Sequence, residues 1–447
     1  MSEPRTLVRE RPAPPVRIVH LGLGNFFRAH QAWFTAHAAD ADDWGIAAFT
    51  GRGPAAADAL NAQDGLYTLI TRAPEGDEFE TVPTLSSRYS AGDHGRWLRC
   101  VAAPEVAIMT MTVTEAGYTR GGDGGLDRES PSVAHDLVAL RADPRAVVGT
   151  AVARVVAGLA ARAAAGGGPI SLVPCDNLPG NGAVAARLVR EFTEAALPAW
   201  GGWIDANVSF VTSAVDRITP ATTPDDMAAV ENALGYRDAA PVVTEPFREW
   251  VLCGDFPAGR PGWEASGAVF TADITPYEQR KLWLLNGAHS LLAYTAPLRG
   301  HCTVGAAVRD PVCRAWLEQW WREAGPYIGL PAAELATYQR ALLDRFANPR
   351  MHHQLAQIAM DGSQKLPVRV LPVLRHERAA GRVPEGAVRA IAGWVCHLTG
   401  SGVRVADSRA LGVRDTGSAL ALLDSALLTD TELRAAVDEE VRRLRGQ

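Results

Sequence analysis

The feature that most constrains the fold is a change of rhythm near residue 275. Before it, short apolar runs rich in branched residues alternate with Ala-rich helical stretches. The runs are Val16–Leu21 (VRIVHL) and residues 45–50 (GIAAFT), 106–114 (VAIMTMTVT), 169–174 (PISLVP) and 207–215 (NVSFVTSAV). A nearly continuous apolar run fits a strand buried on both faces of a parallel sheet. Segments 146–165 and 182–196 read as helices covering that sheet. After the change only helical periodicity remains, over 277–295, 311–324, 334–347, 351–361, 385–400 and 429–445. The pattern predicts an α/β domain over residues 1–274 and an all-α domain over 275–447.

Two cores also suit a chain of 447 residues. The net charge of −6, with no long basic run, argues against nucleic acid as the main partner. No stretch approaches the roughly 18–20 apolar residues that span a bilayer. The opening MSEPRTLVRERPAPP lacks the apolar centre of a secretory signal. Six cysteines lie far apart without a C-x-x-C pair or zinc-like spacing, so reduced thiols in a cytoplasmic protein are expected.

The first run ends in a glycine turn, Gly22-Leu23-Gly24, and a helical stretch through His30 and Phe34 follows. Glycines there let a backbone approach a pyrophosphate seated on the helix's positive end. The third glycine of the usual pattern is absent, so an ordinary turn remains an alternative. The stretch after the second run is TGRGP (residues 50–54), without the carboxylate that normally accepts the adenosine ribose. Arg52 there either faces a 2′-phosphate or is a solvated loop arginine. Three further runs lead into polar residues: Glu115 to Tyr118, then Cys175, Asp176 and Asn177, then Asp216 and Arg217. Ligands of open α/β sheets lie beyond such strand ends, although turns and caps use the same residue types.

The segment PYEQRKLWLLNGAH, from Pro276, is the most informative. At roughly 100° per residue, Glu278, Lys281, Asn286 and His289 fall within an arc of about 140° on an otherwise Leu- and Trp-rich helix. Buried polar groups need partners or a purpose. One reading is a Glu278–Lys281 pair with Asn286 and His289 satisfied in the core. The other is chemical. A lysine taken partly out of water can act as a neutral base, and amide NH₂ groups can steady a developing alkoxide. Lys281 as base, with Asn177 and Asn286 as donors, would serve the oxidation of a secondary alcohol without a metal.

Six ordered stretches carry a resemblance: HLGLGNFFRAHQA from His20, TVTEAGY from Thr112, CDNLPGNGAV from Cys175, VDRITP from Val215, TPYEQRKLWLLNGAH from Thr275 and DGSQKLP from Asp361. The chain resembles the mannitol dehydrogenase family, the polyol-specific long-chain dehydrogenases/reductases, over nearly its whole length. The resemblance implies an α/β Rossmann-type N-terminal domain, an all-α C-terminal domain, a nicotinamide cofactor and a lysine base with no zinc. It implies Lys281 as catalytic base, Asn177 and Asn286 as oxyanion-stabilising amides, His289 as a substrate-positioning group and Glu278 as a carboxylate assisting proton exit. Asp216 and Lys365 match polar residues lining the substrate site, and Glu115 matches a residue beside the nicotinamide. Gly22, Gly24, Asn25 and Phe26 fall on the cofactor turn.

Two departures bear on substrate and cofactor. Mannitol-specific members carry an arginine where this chain has Gln357, and acidic residues where it has Pro54 and Ala55. The stretch IAMDGSQKLPVRVLP, from Ile358, is more similar to the D-mannonate oxidoreductase (fructuronate reductase) branch. The implied substrate is an open-chain sugar acid or sugar alcohol, with NAD as cofactor and NADP left open. A carboxylated substrate would want cations, and Lys365, Arg345, Arg369, His352 and His353 are the candidates. The resemblance also implies a monomer. Mannitol or arabinitol dehydrogenation, and a catalytically silent dinucleotide-binding regulator, are the competing readings.

Overall fold

The computed structural model describes residues 5–351, 353–400 and 405–446, so candidate His352 lies outside the described residues. The chain divides into two compact units, Met1–Ile274 and Thr275–Gln447.

The first unit is built on six parallel strands: β1 (Val16–Leu21), β2 (Gly45–Phe49), β3 (Leu85–Tyr89), β4 (Ile108–Met111), β5 (Ile170–Pro174) and β6 (Val208–Phe210). Their spatial order is β3-β2-β1-β4-β5-β6, the doubly wound Rossmann arrangement, with its switch point between β1 and β4. Side chains alternate between two buried faces. Val19, Leu21, Met109, Met111 and Leu172 enter one core, while Ile18, Ala48, Ile108 and Val173 enter the other. Burial on both sides is why these strands read as unbroken apolar runs. The register is level at one edge: Leu21 lies opposite Phe49 and Met111, and Met111 opposite Pro174. The chain therefore leaves β1, β2, β4 and β5 along one line.

Several expected boundaries shift. The run 106–114 is a strand only over Ile108–Met111, and Glu115–Tyr118 forms a 3₁₀ turn. The run 207–215 is two strands. After β6 the chain switches sheets, and Thr212–Asp216 pairs antiparallel with Glu249–Cys253. The Asn181 side chain supports that switch by bonding both the amide and the carbonyl of Ser213, at 3.0 and 2.9 Å. The helical stretch after the glycine turn breaks at His30 into Asn25–Ala29 and Gln31–Ala36. The sequence reading also passes over the Tyr67–Ala73/Gly76–Val82 hairpin, whose second strand is polar and half-exposed, and the buried strand Val242–Thr244 that joins it.

Apart from one isolated bridge, the described part of the second unit is helical. Its centre is Ala288–Thr295, with all eight residues buried, packed on Glu385–Leu398. Gly393 permits the close crossing, since a Cβ there would lie 2.8 Å from Thr295. The helix expected over 351–361 shrinks to Leu355–Ile358, because Asp361 takes a left-handed conformation (φ 54°) before Gly362–Arg369 begins. The helix expected over 277–295 is regular at both ends, Thr275–Arg280 and Ala288–Thr295, but is a π-helix over Lys281–Gly287. No helix among the described residues is long and apolar enough to cross a membrane. All six cysteines are free thiols.

Candidate functional site

In the first unit the glycine turn sits at the switch point. Gly22 and Leu23 both donate to the Phe49 carbonyl, at 2.9 and 2.8 Å, which folds the chain over the end of β2. Gly22 has φ 113°, and a Cβ there would lie 2.2 Å from the Thr112 carbonyl oxygen. Only glycine fits. Gly24 is different: its backbone is extended, and a Cβ would find nothing nearer than the Gly22 carbonyl at 3.5 Å. Its openness faces no packing demand, as suits a turn that must admit a phosphate.

The third glycine position is occupied by Phe27. Its ring stacks on His20 with centroids 3.5 Å apart, and both side chains are fully buried. An aromatic pair thus sets the strand–helix spacing that a third glycine would otherwise make close. His20 Nδ1 lies 2.8 Å from Thr110 Oγ1, and Nε2 lies 3.2 Å from Thr112 Oγ1. Thr112 in turn donates to the Gly22 carbonyl at 2.8 Å, so His20 donates from Nε2 and accepts at Nδ1. Burial pushes the His20 pKa down to about 3, which keeps the ring neutral.

A cavity of about 720 Å³ opens beyond this turn. Gly22, Gly24, Phe26, Glu115, Asp176 and Asn177 are among its lining residues. Asn25 also lines it, but its side chain is engaged locally, accepting from Arg28 at 2.7 Å and donating to Thr222 at 3.3 Å. Glu115 and Asn177 are exposed at its rim. Behind them the Tyr118 hydroxyl donates to Asp176 Oδ2, while Leu178 N–H donates to Oδ1 at 2.9 Å. Burial, as the largest cause, raises the Asp176 pKa above the ordinary carboxylate value. Sequence reasoning placed both residues at strand ends without seeing this pairing. Arg52 is exposed in the loop after β2 and has no hydrogen bond or ion pair among the described residues. Asp216 is buried at the end of its strand, next to Val215 in the cavity wall. Arg217 is a structural clamp, bonding the Ala29 and Glu245 carbonyls, and burial lowers its pKa to about 10.

In the second unit Lys281 opens the π-helical segment and Asn286 lies five residues on, both half-buried. An i→i+5 helix holds more residues per turn than an α-helix, so residues five apart come closer together around its axis. On the regular helix expected from the sequence the same two would diverge by about 140°. The π conformation therefore gathers Lys281 and Asn286 more tightly than periodicity foretold. Glu278 is half-buried on the preceding turn. His289 is buried, with its ring 4.9 Å from Phe346 and 5.4 Å from His353. Arg345, beside Phe346, is also buried. Lys365 donates to the Ile358 carbonyl at 3.2 Å, and its pKa is lowered by burial and then by the charge of Arg369. Arg369 reaches the Asn286 carbonyl at 3.5 Å and Ser290 Oγ at 3.3 Å. Gln357 is exposed.

Among the described residues, His301, Asp310 and Cys313 form a group with metal-ligand proximity. The Asp310 carboxylate is already taken by Arg299 at 2.7 Å and His301 at 2.8 Å, an ion-pair arrangement at a helix start.

Two family models cover the chain: the mannitol dehydrogenase Rossmann domain over residues 16–265 and the mannitol dehydrogenase C-terminal domain over 273–442. D-mannonate oxidoreductase of Escherichia coli (strain K12) is 37% identical over 395 residues, 86% of this chain and 80% of the relative. Mannitol 2-dehydrogenase of Cereibacter sphaeroides is 36% identical over 401 residues, 88% of this chain and 83% of the relative. The solved Pseudomonas fluorescens mannitol 2-dehydrogenase, a ternary complex with NAD and D-mannitol, superposes with a TM-score of 0.82 at 33% identity, covering 99% of this chain and 94% of that one. Strand order, helical second unit and both matched models agree: this chain belongs to the mannitol dehydrogenase family of oxidoreductases.

Proposed function

We propose that the chain is a nicotinamide-dependent dehydrogenase that interconverts a secondary alcohol and a ketone on an open-chain sugar acid of the D-mannonate/D-fructuronate type. The observation that carries this reading is the placement of Lys281 and Asn286 on one π-helical turn, a base and an amide donor five residues apart. The cofactor is NAD, held by Gly22, Gly24, Asn25, Phe26, Glu115 and Asn177, with Arg52 the cation available to a 2′-phosphate if NADP is also used. The bound nicotinamide supplies the hydride acceptor.

The protein's own contribution is proton handling and charge. Lys281 takes the hydroxyl proton, and Glu278 assists its exit toward solvent. The amide groups of Asn177 and Asn286 donate to the oxygen as negative charge develops, which lowers the barrier because fixed dipoles need no reorganisation. His289 and Asp216 orient the carbinol, and Lys365 and Arg345 receive the carboxylate. Arg369, with its charge beside Lys365, supports an acidic substrate over a neutral polyol. The enzyme is proposed to work as a cytoplasmic monomer without a metal.

A substrate panel tests the reading. Purified protein is assayed by nicotinamide absorbance with D-fructuronate, D-mannonate, D-fructose, D-mannitol and D-arabinitol, each with both cofactors. The expected result is a kcat/KM at least tenfold higher for the hexuronate/hexonate pair. Preference for the neutral polyols would move the assignment to a mannitol or arabinitol dehydrogenase.

A further inference from the structure

Two adjacent indoles on the helix Pro311–Ala324 reach the main chain of the π-helical segment. Trp320 Nε1 donates to the Trp283 carbonyl at 2.8 Å, and Trp321 Nε1 to the Leu284 carbonyl at 2.9 Å. Both side chains are buried. The fit is close: a Cβ on Gly287 would lie 2.7 Å from the Trp320 ring, and one on Gly386 would lie 2.9 Å from Trp320 Cα.

The hydrogen-bond pattern of the segment explains why such donors matter. Where an i→i+5 stretch reverts to i→i+4, the register slips by one residue and a carbonyl is passed over. A buried carbonyl left without a donor is costly, so an uninterrupted α-helix would win unless another donor is supplied. The indoles supply donors to two successive carbonyls within the segment. The apolar remainder of the Trp320 ring fills the space that Gly287 leaves open.

We propose that Trp320 and Trp321 are positioning residues: their N–H groups hold the π conformation and so keep Lys281 and Asn286 on one helix face. This deepens the function proposed above and rests on Lys281 and Asn286 being the reacting pair. Neither indole touches substrate in this scheme. Both act through the helix that carries the base.

The test is the double variant Trp320→Phe/Trp321→Phe, which keeps an aromatic ring at each position but removes the two donors together with part of each buried indole. Trp394→Phe is the control for the lost ring volume, because Trp394 is also buried in the same unit and its N–H has no hydrogen-bond partner among the described residues. Lys281→Ala is the reference for loss of the base. The expected result is a kcat lowered about 10–100-fold in the double variant, the scale of a misplacement near 1 Å. NADH affinity should be unchanged, and Trp394→Phe should stay within twofold of the parent. A kcat in the double variant equal to that of Trp394→Phe, with Lys281→Ala inactive, overturns the proposal. Turnover surviving in Lys281→Ala overturns the reading of the base itself, and the positioning role with it.

Discussion

The hydroxyl of Tyr118 donates to the carboxylate of Asp176, joining two loops that are 58 residues apart in sequence. Tyr118 ends the turn that begins with Glu115, and Asp176 directly precedes Asn177. The two candidate residues at the cavity rim are thus carried on loops tied together beneath them. This buried bond ties the loop after β4 to the loop after β5.

Tyr118→Phe should cost about 1–3 kcal/mol, the range for leaving a buried acceptor short of a donor. The sign of its pH dependence is fixed by Asp176. The tyrosine bond lowers the Asp176 pKa against burial, which raises it, so the variant's carboxyl rises further. Raised carboxyl pKa values contribute stability in acid that is lost as pH climbs through the folded value. The deficit of Tyr118→Phe should therefore be smallest in acid and grow toward neutral pH, measured by urea unfolding at several pH values. A deficit that shrinks with rising pH would contradict the pairing.

Gly22 and Gly24 should respond differently to alanine. Gly22→Ala combines a left-handed φ with a backbone clash, and should cost more than about 3 kcal/mol or yield insoluble protein. Gly24→Ala should fold with a nearly unchanged Tm and bind NADH at least about tenfold more weakly, since its Cβ intrudes only on the space in front of the turn. Thermal melts and NADH fluorescence titration separate the two effects. Equal NADH affinity in a folded Gly24→Ala would remove the turn from the cofactor site.

His20 makes the first unit sensitive to acid. Its folded pKa of about 3 lies below the ordinary histidine value near 6.5. Stability from its neutral ring is present above that ordinary value and is lost as pH falls toward 3, at about 1.4 kcal/mol per pH unit. The gap between parent and His20→Asn should narrow by about 2 kcal/mol between pH 7.5 and pH 5. A gap that stays constant would show the ring to be titrating normally.

Activity should survive exhaustive treatment with a chelator. The donor set proposed for the reaction is a lysine and two amides, which supply base and charge stabilisation without a Lewis acid. Loss of activity that returns on adding a divalent cation would contradict this.

Much of this arrangement was legible in the sequence because burial on both faces writes itself as apolar runs. Val16–Leu21 and Ile170–Pro174 are of that kind. Three features were not. The run at 207–215 looks uniform, yet its chain changes sheets at Val211, a choice made by Asn181 bonding Ser213 from a distant helix. The missing third glycine looked like a weakened motif, but Phe27 stacked on His20 fills that place, and no local pattern announces such a pair. A periodicity of 100° per residue has no means of indicating a π-helix. Its signal lay elsewhere, in the adjacent Trp320 and Trp321 and in the Gly287 that admits the Trp320 ring.

The most direct measurement is turnover and NADH affinity of Lys281→Ala, made side by side with the parent protein on its best substrate. The expected result is a kcat reduced by about 10²–10⁴-fold or more, the range attributed to general-base catalysis, with NADH binding unchanged. Near-parental turnover would contradict the assignment of Lys281 as the base.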